Sequence, residues 1–389
     1  MRLIWTAVPG VLISALLCQA DPPSIFPLPR EIHARNNNFT IDDRVVVALP
    51  MKASAHDAQL AEILVDDAID RYHVAIHTIR TPRLPHGARM IVMGTWSNAL
   101  VAEYCAAHHI AISANNPGAE GYVLDVSPEA VLIAGSDDRG AFHGLQSLRQ
   151  LLHKDAGGLQ VPGALVRDWP YQPFRAIRLY LPGRDNIPFF KRFLRDFMAL
   201  YKYNTVVIET GGAMRLKRHP EINAGWLDLV NDLHYTERYN PHGPHGEYQD
   251  SSHQDTADGA ILEQEEVADI VTYARKYFID VIPEIPSLTH SYYLLARHRD
   301  LAEIPDEQWP GTYCPSNPKT YALLFDVLDE YIQVMKPRMI HIGHDEWFAP
   351  VGRCARCRGK NLGDLFATDV NKIHRYLAAR GIKTTMYGD

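Results

Sequence analysis

The residues with most capacity for chemistry lie in one short run, His341-Ile-Gly-His-Asp-Glu-Trp347. Adjacent carboxylates in a partly dry site do not both ionise cheaply, because like charges raise one of the two pKa values. A pair split in this way offers a proton donor beside a charged stabiliser, the division of labour that cleavage of a glycosidic bond requires. The same Asp-Glu pair on an open surface would be only a solvated patch, so the elements that carry it decide its meaning.

Those elements alternate. Arg175–Leu181 reads as a strand, followed by a helix opened by Pro188 whose apolar set Phe189, Phe193, Phe197 and Leu200 predicts a buried face. Thr205–Ile208 is a second strand, with a long polar insertion behind it. A helix marked by Val267, Ile270, Val271, Ala274 and Phe278 leads to a third strand, Val281–Ile285. Asn317-Pro318 opens a helix with Tyr321, Leu324, Leu328 and Ile332 inward, before Met339–Ile342. Ile373 and Leu377 then mark a helix ahead of Thr384–Tyr387, a fifth strand.

Repeated strand–helix units predict a parallel sheet, in a doubly wound fold or a barrel. No Gly-rich phosphate loop follows the first strand, which argues against the doubly wound form. Barrels place their chemistry at the C-terminal ends of the strands, where Glu209, Glu284, Asp345-Glu346 and Asp389 fall. The expected fold is therefore α/β, a (β/α)8 TIM-type barrel over residues 167–389 of which about five units are present. A closed barrel has roughly eight, so the chain is expected to stop short of a complete one; the intact mass of the native protein tests this.

Ahead of the barrel, residues 21–166 read as a small α+β domain without catalytic features. Arg44–Leu49, Arg89–Met93, Gly121–Val126 and Ala130–Ala134 are strand-like, the last two forming a hairpin about Pro128-Glu129. Gly140 to Leu152 has helical spacing, with Phe142, Leu145, Leu148 and Leu152 on one side.

Residues 1–20 read as an export signal: Arg2, an apolar stretch from Leu3 to Leu17, then Cys18-Gln-Ala20 before Asp21-Pro-Pro23. Pro9-Gly10 interrupts a stretch already short for a membrane span. A lipoprotein reading of Cys18 is the alternative. The protein is thus expected to be secreted or periplasmic, with no membrane span. A net charge of -7 without a dense Lys/Arg cluster excludes a nucleic-acid partner.

Cleavage after Ala20 leaves Cys105, Cys314, Cys354 and Cys357. Cys354-Ala-Arg-Cys357 offers half a zinc site without a second Cys pair, so a local disulfide or two free thiols is expected and no metal or cofactor. His234, His242, His245 and His253, in the insertion Asp232–Gly259, lack regular ligand spacing and read as a loop shaping the cleft.

Over nearly all of its expected mature length the chain resembles the glycoside hydrolase family 20 β-N-acetylhexosaminidases. The resemblance is carried by Glu120-Gly-Tyr-Val-Leu, Gly140-Ala-Phe-His-Gly-Leu-Gln-Ser-Leu-Arg-Gln-Leu-Leu152, Arg167-Asp-Trp-Pro170 with Pro173-Phe-Arg175, and Met198-Ala-Leu-Tyr-Lys-Tyr-Asn204. It continues in Val281-Ile-Pro-Glu-Ile285 with His290, in Cys314-Pro-Ser-Asn317, and in His341-Ile-Gly343 with Asp345-Glu346. The resemblance implies substrate-assisted hydrolysis of terminal β-linked GlcNAc or GalNAc, so the partner is a glycan or amino-sugar substrate. Asp345 would orient the 2-acetamido group and Glu346 would act as acid and then base. Arg175 would hold sugar hydroxyls and His290 would support the acid, with Glu284, Glu209 and Trp347 lining the substrate.

The chain also departs from that pattern. The usual His-x-His and Asp-Asp-Gln motifs are replaced by Val206-Val-Ile-Glu-Thr-Gly-Gly-Ala-Met-Arg215, leaving Glu209 as a substitute partner for the acid. Tyr180 stands where an Asp is common, and His344 replaces a Gly, bringing a titratable group beside the acid. The aromatic lining of the acetamido pocket would come from later strands. Two alternatives follow: a hydrolase of the same fold for another sugar, or a non-catalytic carbohydrate-binding protein on the same scaffold. The sequence leaves the oligomeric state open.

Overall fold

A computed structural model describes residues 24–232, 252–347 and 352–388. The expected export signal lies outside them, as do His234, His242 and His245 and the side chain of His253. Among the described residues no helix is long and apolar enough to cross a membrane. The chain divides into two compact units, Met1–Trp169 and Pro170–Asp389.

The first unit is built on β1 (Glu31–Ile41), β2 (Val46–Pro50), α1 (Ala55–Tyr72), β3 (His77–Thr81), β4 (Met90–Thr95) and α2 (Ala99–Ala107). It continues with β5 (Tyr122–Val126), β6 (Ala130–Gly135), α3 (Asp138–Leu151), β7 (His153–Asp155) and β8 (Gly158–Asp168). The strands form one mixed sheet in the order β1-β8-β5-β6-β4-β2-β3, with β7 beside β8. Alternate side chains leave a strand on opposite faces. Ala48, Val92, Ala130, Leu132 and Ala134 accordingly pack on Leu100, Val101 and Tyr104 of α2. Ile133, one residue out of phase, lies against Gly144 of α3.

The long antiparallel pair β1–β8 was not foreseen, because its polar run Arg35-Asn-Asn-Asn38 hides the strand pattern. The structure accommodates that run as an irregularity in register between Ala34 and Asn38. As β8 runs on to Asp168, the first unit ends a few residues later than the expected 166.

The second unit contains β9 (Ala176–Tyr180), α4 (Ile187–Phe193), β10 (Thr205–Glu209), α5 (Pro220–Asp232), α6 (Gln264–Lys276) and β11 (Asp280–Ser287). After these come α7 (Tyr292–Leu295), α8 (Pro318–Met335), β12 (Met339–Gly343), α9 (Leu362–Ala378) and β13 (Lys383–Thr385). The five strands are all parallel and lie side by side in chain order, β9 through β13. Helices cross back between them, as in the strand–helix rhythm of a TIM-type barrel. Asn317 caps α8, accepting from the Lys319 amide at 3.2 Å, with Pro318 in the first turn.

The buried face of the first barrel helix differs from the expectation. Phe190, Leu194 and Met198 are buried, whereas Phe189 is 62% and Phe197 39% exposed. Both sets repeat every four residues, so spacing alone does not choose between them. The chain turns from α-helix to π-helix at Leu194–Ala199, and Phe193 and Phe197 stack on each other at 4.9 Å.

Gly140 shows how closely α3 meets its sheet. A Cβ there would lie 2.0 Å from the Gly121 carbonyl oxygen, a backbone atom that cannot swing aside. Gly140→Ala is therefore expected to lower the urea unfolding midpoint of the first unit, at a cost of roughly 1–3 kcal/mol or more. An unchanged midpoint would show that α3 does not pack this closely.

Candidate active site

Strand register brings five residues to one level, with Tyr180 beside Glu209, Glu209 beside Glu284, Glu284 beside His341 and His341 beside Thr385. Glu209 and Glu284 are 0% and 1% exposed. Two carboxylates so deeply buried require a cation. Arg178, one layer below on β9, supplies it. Its Nε and Nη2 donate to Glu284 at 3.0 and 3.3 Å, and Nη2 also pairs with Glu209. Burial opposes the guanidinium charge, but the Glu284 hydrogen bond and the Glu209 charge outweigh it and raise the Arg178 pKa above its usual value.

Tyr387 closes the layer. Its hydroxyl donates to Glu284 at 3.0 Å, and its ring meets His341 edge-on at 4.4 Å. Burial lowers the His341 pKa, and its Nδ1 accepts from the Gly343 amide at 3.2 Å, which suits a neutral ring.

The carboxylate pair follows β12. In an extended chain neighbouring side chains point opposite ways, so Asp345 and Glu346 do not share a partner unless the backbone turns. It does turn: φ is +71° at Gly343, +70° at His344 and +54° at Glu346. On the adjoining segment after β11, Leu288 and His290 are also left-handed, at +65° and +48°. Each such non-glycine residue costs on the order of 1–3 kcal/mol, and strain of this kind clusters at functional sites.

The result is a shared imidazole. His290 Nε2 stands 3.6 Å from Asp345 Oδ2 and 3.2 Å from Glu346 Oε2. The Thr289 hydroxyl donates to the Asp345 carbonyl at 2.7 Å, tying the two segments together. The Glu346 side chain is 55% exposed and that of Asp345 21%, so the outer carboxylate meets solvent and the inner one is sheltered. Trp347 rests on Phe366 of α9 at 4.9 Å. Its indole nitrogen is enclosed and has no hydrogen-bond partner among the described residues.

His344 does not sit beside the acid as expected. It turns inward, where Nε2 meets Asp369 of α9 at 2.9 Å and Nδ1 meets the Ile342 carbonyl at 3.0 Å. Asp369 also accepts from Tyr313 at 2.9 Å and Tyr321 at 2.5 Å. His344 and Asp369 are both fully buried. The group anchors the loop from below.

Arg175, expected to hold sugar hydroxyls, instead makes hydrogen bonds to the neighbouring backbone and to Asn204. It precedes β9, at the end of the strand opposite the carboxylate pair. Its Nε donates to the Lys202 carbonyl and its Nη1 to the Gln172 carbonyl, each at 2.7 Å, while its amide donates to Asn204. These bonds fasten the lead-ins of β9 and β10. Arg178 is the cation of the strand interior. Arg178 and Tyr180 fall in the same strand phase, and that alternation was the signal the sequence held. Glu209 and Glu284, expected to touch substrate, form the floor of the site with Arg178.

Two family models match: "Glycosyl hydrolase family 20, domain 2" over residues 22–169, and "Glycosyl hydrolase family 20, catalytic domain" over residues 189–389. A β-hexosaminidase of Porphyromonas gingivalis is 25% identical across 92% of this chain and 43% of its own length. One from Akkermansia muciniphila is 27% identical across 61% of the chain and 48% of its own length. The chain thus spans less than half the length of these curated relatives. The crystal structure of a β-N-acetylhexosaminidase from Bacteroides fragilis superposes with a TM-score of 0.68 at 22% identity, over 94% of this chain and 66% of the other. Taken with the parallel strands and the carboxylates at their C-terminal ends, the two matches leave little of the sequence outside them, and the chain belongs to glycosyl hydrolase family 20.

Proposed function

We propose that the protein removes terminal β-linked N-acetylhexosamine from glycans by substrate-assisted, retaining hydrolysis. The observation that carries this reading is the single imidazole of His290 between Asp345 and Glu346, on a backbone strained at His344, Glu346 and His290. Family membership and the names of the relatives support the same chemistry.

In the first step the substrate's 2-acetamido oxygen attacks the anomeric carbon. The glycosidic bond breaks as Glu346 gives its proton to the leaving oxygen. Asp345, sheltered and held through its own carbonyl by Thr289, orients the acetamido N–H and stabilises the positive charge that develops on it. Glu346, now a carboxylate, then takes a proton from water as that water opens the oxazolinium ring at the same carbon. His290 Nε2 lies beside both carboxylates and holds them in one position relative to the sugar. The enclosed Trp347 N–H is a donor that a substrate oxygen would satisfy.

The Arg178–Glu209–Glu284 cluster favours a second reading. In it Glu209, from the stretch that departs from the usual polar motifs, is closed into an ion network with Arg178 and Glu284, which fits a hydrolase of the same fold selective for another sugar. A panel of aryl glycosides separates the two readings. The apolar leader Leu3–Leu17 supports export to the periplasm or medium as the place of action.

Release of 4-nitrophenol from its β-GlcNAc glycoside by the native full-length protein is the direct test. Glu346→Gln and Asp345→Asn are each expected to lower kcat by about 10²–10⁴-fold, the range for a lost acid–base or charge-stabilising group. Full activity in either variant would refute the assignment of that residue.

The two arginines are expected to part company. Arg178→Met leaves Glu209 and Glu284 buried without their cation, a loss of about 3–5 kcal/mol in urea unfolding. Arg175→Met removes hydrogen bonds to backbone carbonyls at the far end of the strands and is expected to leave KM within about twofold, since no binding contact is lost. A large rise in KM for Arg175→Met would restore that residue to the substrate site.

A further inference from the structure

We propose that Glu303, Cys314, Cys354 and Cys357 form a structural zinc site that clips the loop following the carboxylate pair to the loop leading into α8. Their four ligand atoms lie within 4.8 Å of one another. The sulfur of Cys314 is 3.2 Å from that of Cys354 and 3.5 Å from that of Cys357. A tetrahedral ion with metal–sulfur bonds of about 2.3 Å holds its ligands about 3.8 Å apart. The two sulfur pairs would open by about 0.6 and 0.3 Å, and any wider pair within the 4.8 Å cluster would close, to accept it.

The cluster is built for an ion in two further ways. Glu303 is 2% exposed, and its Oε2 accepts from the amides of Arg353 and Cys354, both at 2.9 Å. Its other oxygen, Oε1, is enclosed and has no hydrogen-bond partner among the described residues. A bare buried carboxylate oxygen is costly unless a cation meets it. Cys354 and Cys357 sit on a tight turn, with the amides of Cys357 and Arg358 donating to the Cys354 carbonyl at 3.1 and 3.0 Å.

The chemistry selects the metal. Three sulfurs and one carboxylate are a soft donor set suited to zinc and poorly suited to magnesium or calcium. Four protein ligands complete the tetrahedron, so no position remains for water or substrate, and the role is structural. Without a metal, burial holds the Cys314 thiol above its ordinary pKa and pushes Cys357 up to about 11. A bound dication reverses that preference, and the three thiol protons leave to solvent as the ion enters.

A disulfide accounts for less. Any one pairing among three cysteines leaves the third unmatched and leaves Glu303 Oε1 bare. Sequence spacing pointed away from zinc because no second Cys pair exists. The missing half is a lone cysteine about forty residues upstream and a glutamate before it, brought alongside by the turn from Glu303 to Cys314, where the Glu303 amide donates to the Thr312 carbonyl at 3.0 Å.

The site stands whether or not the chain hydrolyses glycosides, and its test needs no substrate. Elemental analysis of the purified full-length protein is expected to find about one zinc per chain, matching one four-ligand site. Cys314, Cys354 and Cys357 should resist alkylation until a chelator strips the metal. Replacement by cobalt should give a sulfur-to-cobalt charge-transfer band, and Glu303→Gln should weaken zinc binding at least tenfold. A metal-free protein with a disulfide among these cysteines would overturn the proposal. So would equal alkylation of all three thiols before and after chelation.

Discussion

The guanidinium of Arg178 is the constraint around which the second unit is organised. Buried carboxylates at neighbouring positions on adjacent strands repel, and a fold that places Glu209 beside Glu284 holds only if a cation reaches both. Arg178 does so from one layer down. It fixes the relative height of β9, β10 and β11, and the Tyr387 hydroxyl extends the network beyond β13. The strand tops, where Asp345 and Glu346 emerge, inherit their positions from this layer. A polar interior of this kind is easily broken and leaves few alternative registers, since sliding any one strand would strand a charge.

Above that floor the site depends on backbone geometry more than on side-chain identity. Neighbouring residues share one imidazole because the chain is left-handed on both sides of Asp345. The strain is sustained by the Thr289 hydrogen bond on one side and by the Asp369 group beneath. Preorganisation of this sort removes freedom before substrate arrives, which is where much of an enzyme's rate advantage originates.

What the sequence disclosed follows from locality. The His341–Trp347 run is contiguous, so its chemistry was legible without a structure, and the strand–helix rhythm was legible because each element carries its own apolar period. Three features were not. Arg175 and Arg178 lie three residues apart on one strand-like stretch, and only register with Glu209 and Glu284 distinguishes an anchor at one end from a cation inside. Phe189/Phe193/Phe197 and Phe190/Leu194/Met198 have the same helical spacing, so the sheet decides which is buried. The Glu303–Cys357 cluster draws its parts from separate loops, and no local window contains it.

The burial of His344 against Asp369 has a consequence for remote control of the site. Asp369 belongs to α9, and it also holds the hydroxyls of Tyr313 and Tyr321. Any ligand or mutation that moved α9 by about one ångström would carry His344, and with it the adjoining carboxylates, by a similar amount. Misplacement on that scale costs catalysis on the order of 10²-fold. Through Asp369, α9 and the turn that carries the two carboxylates are thus one mechanical unit.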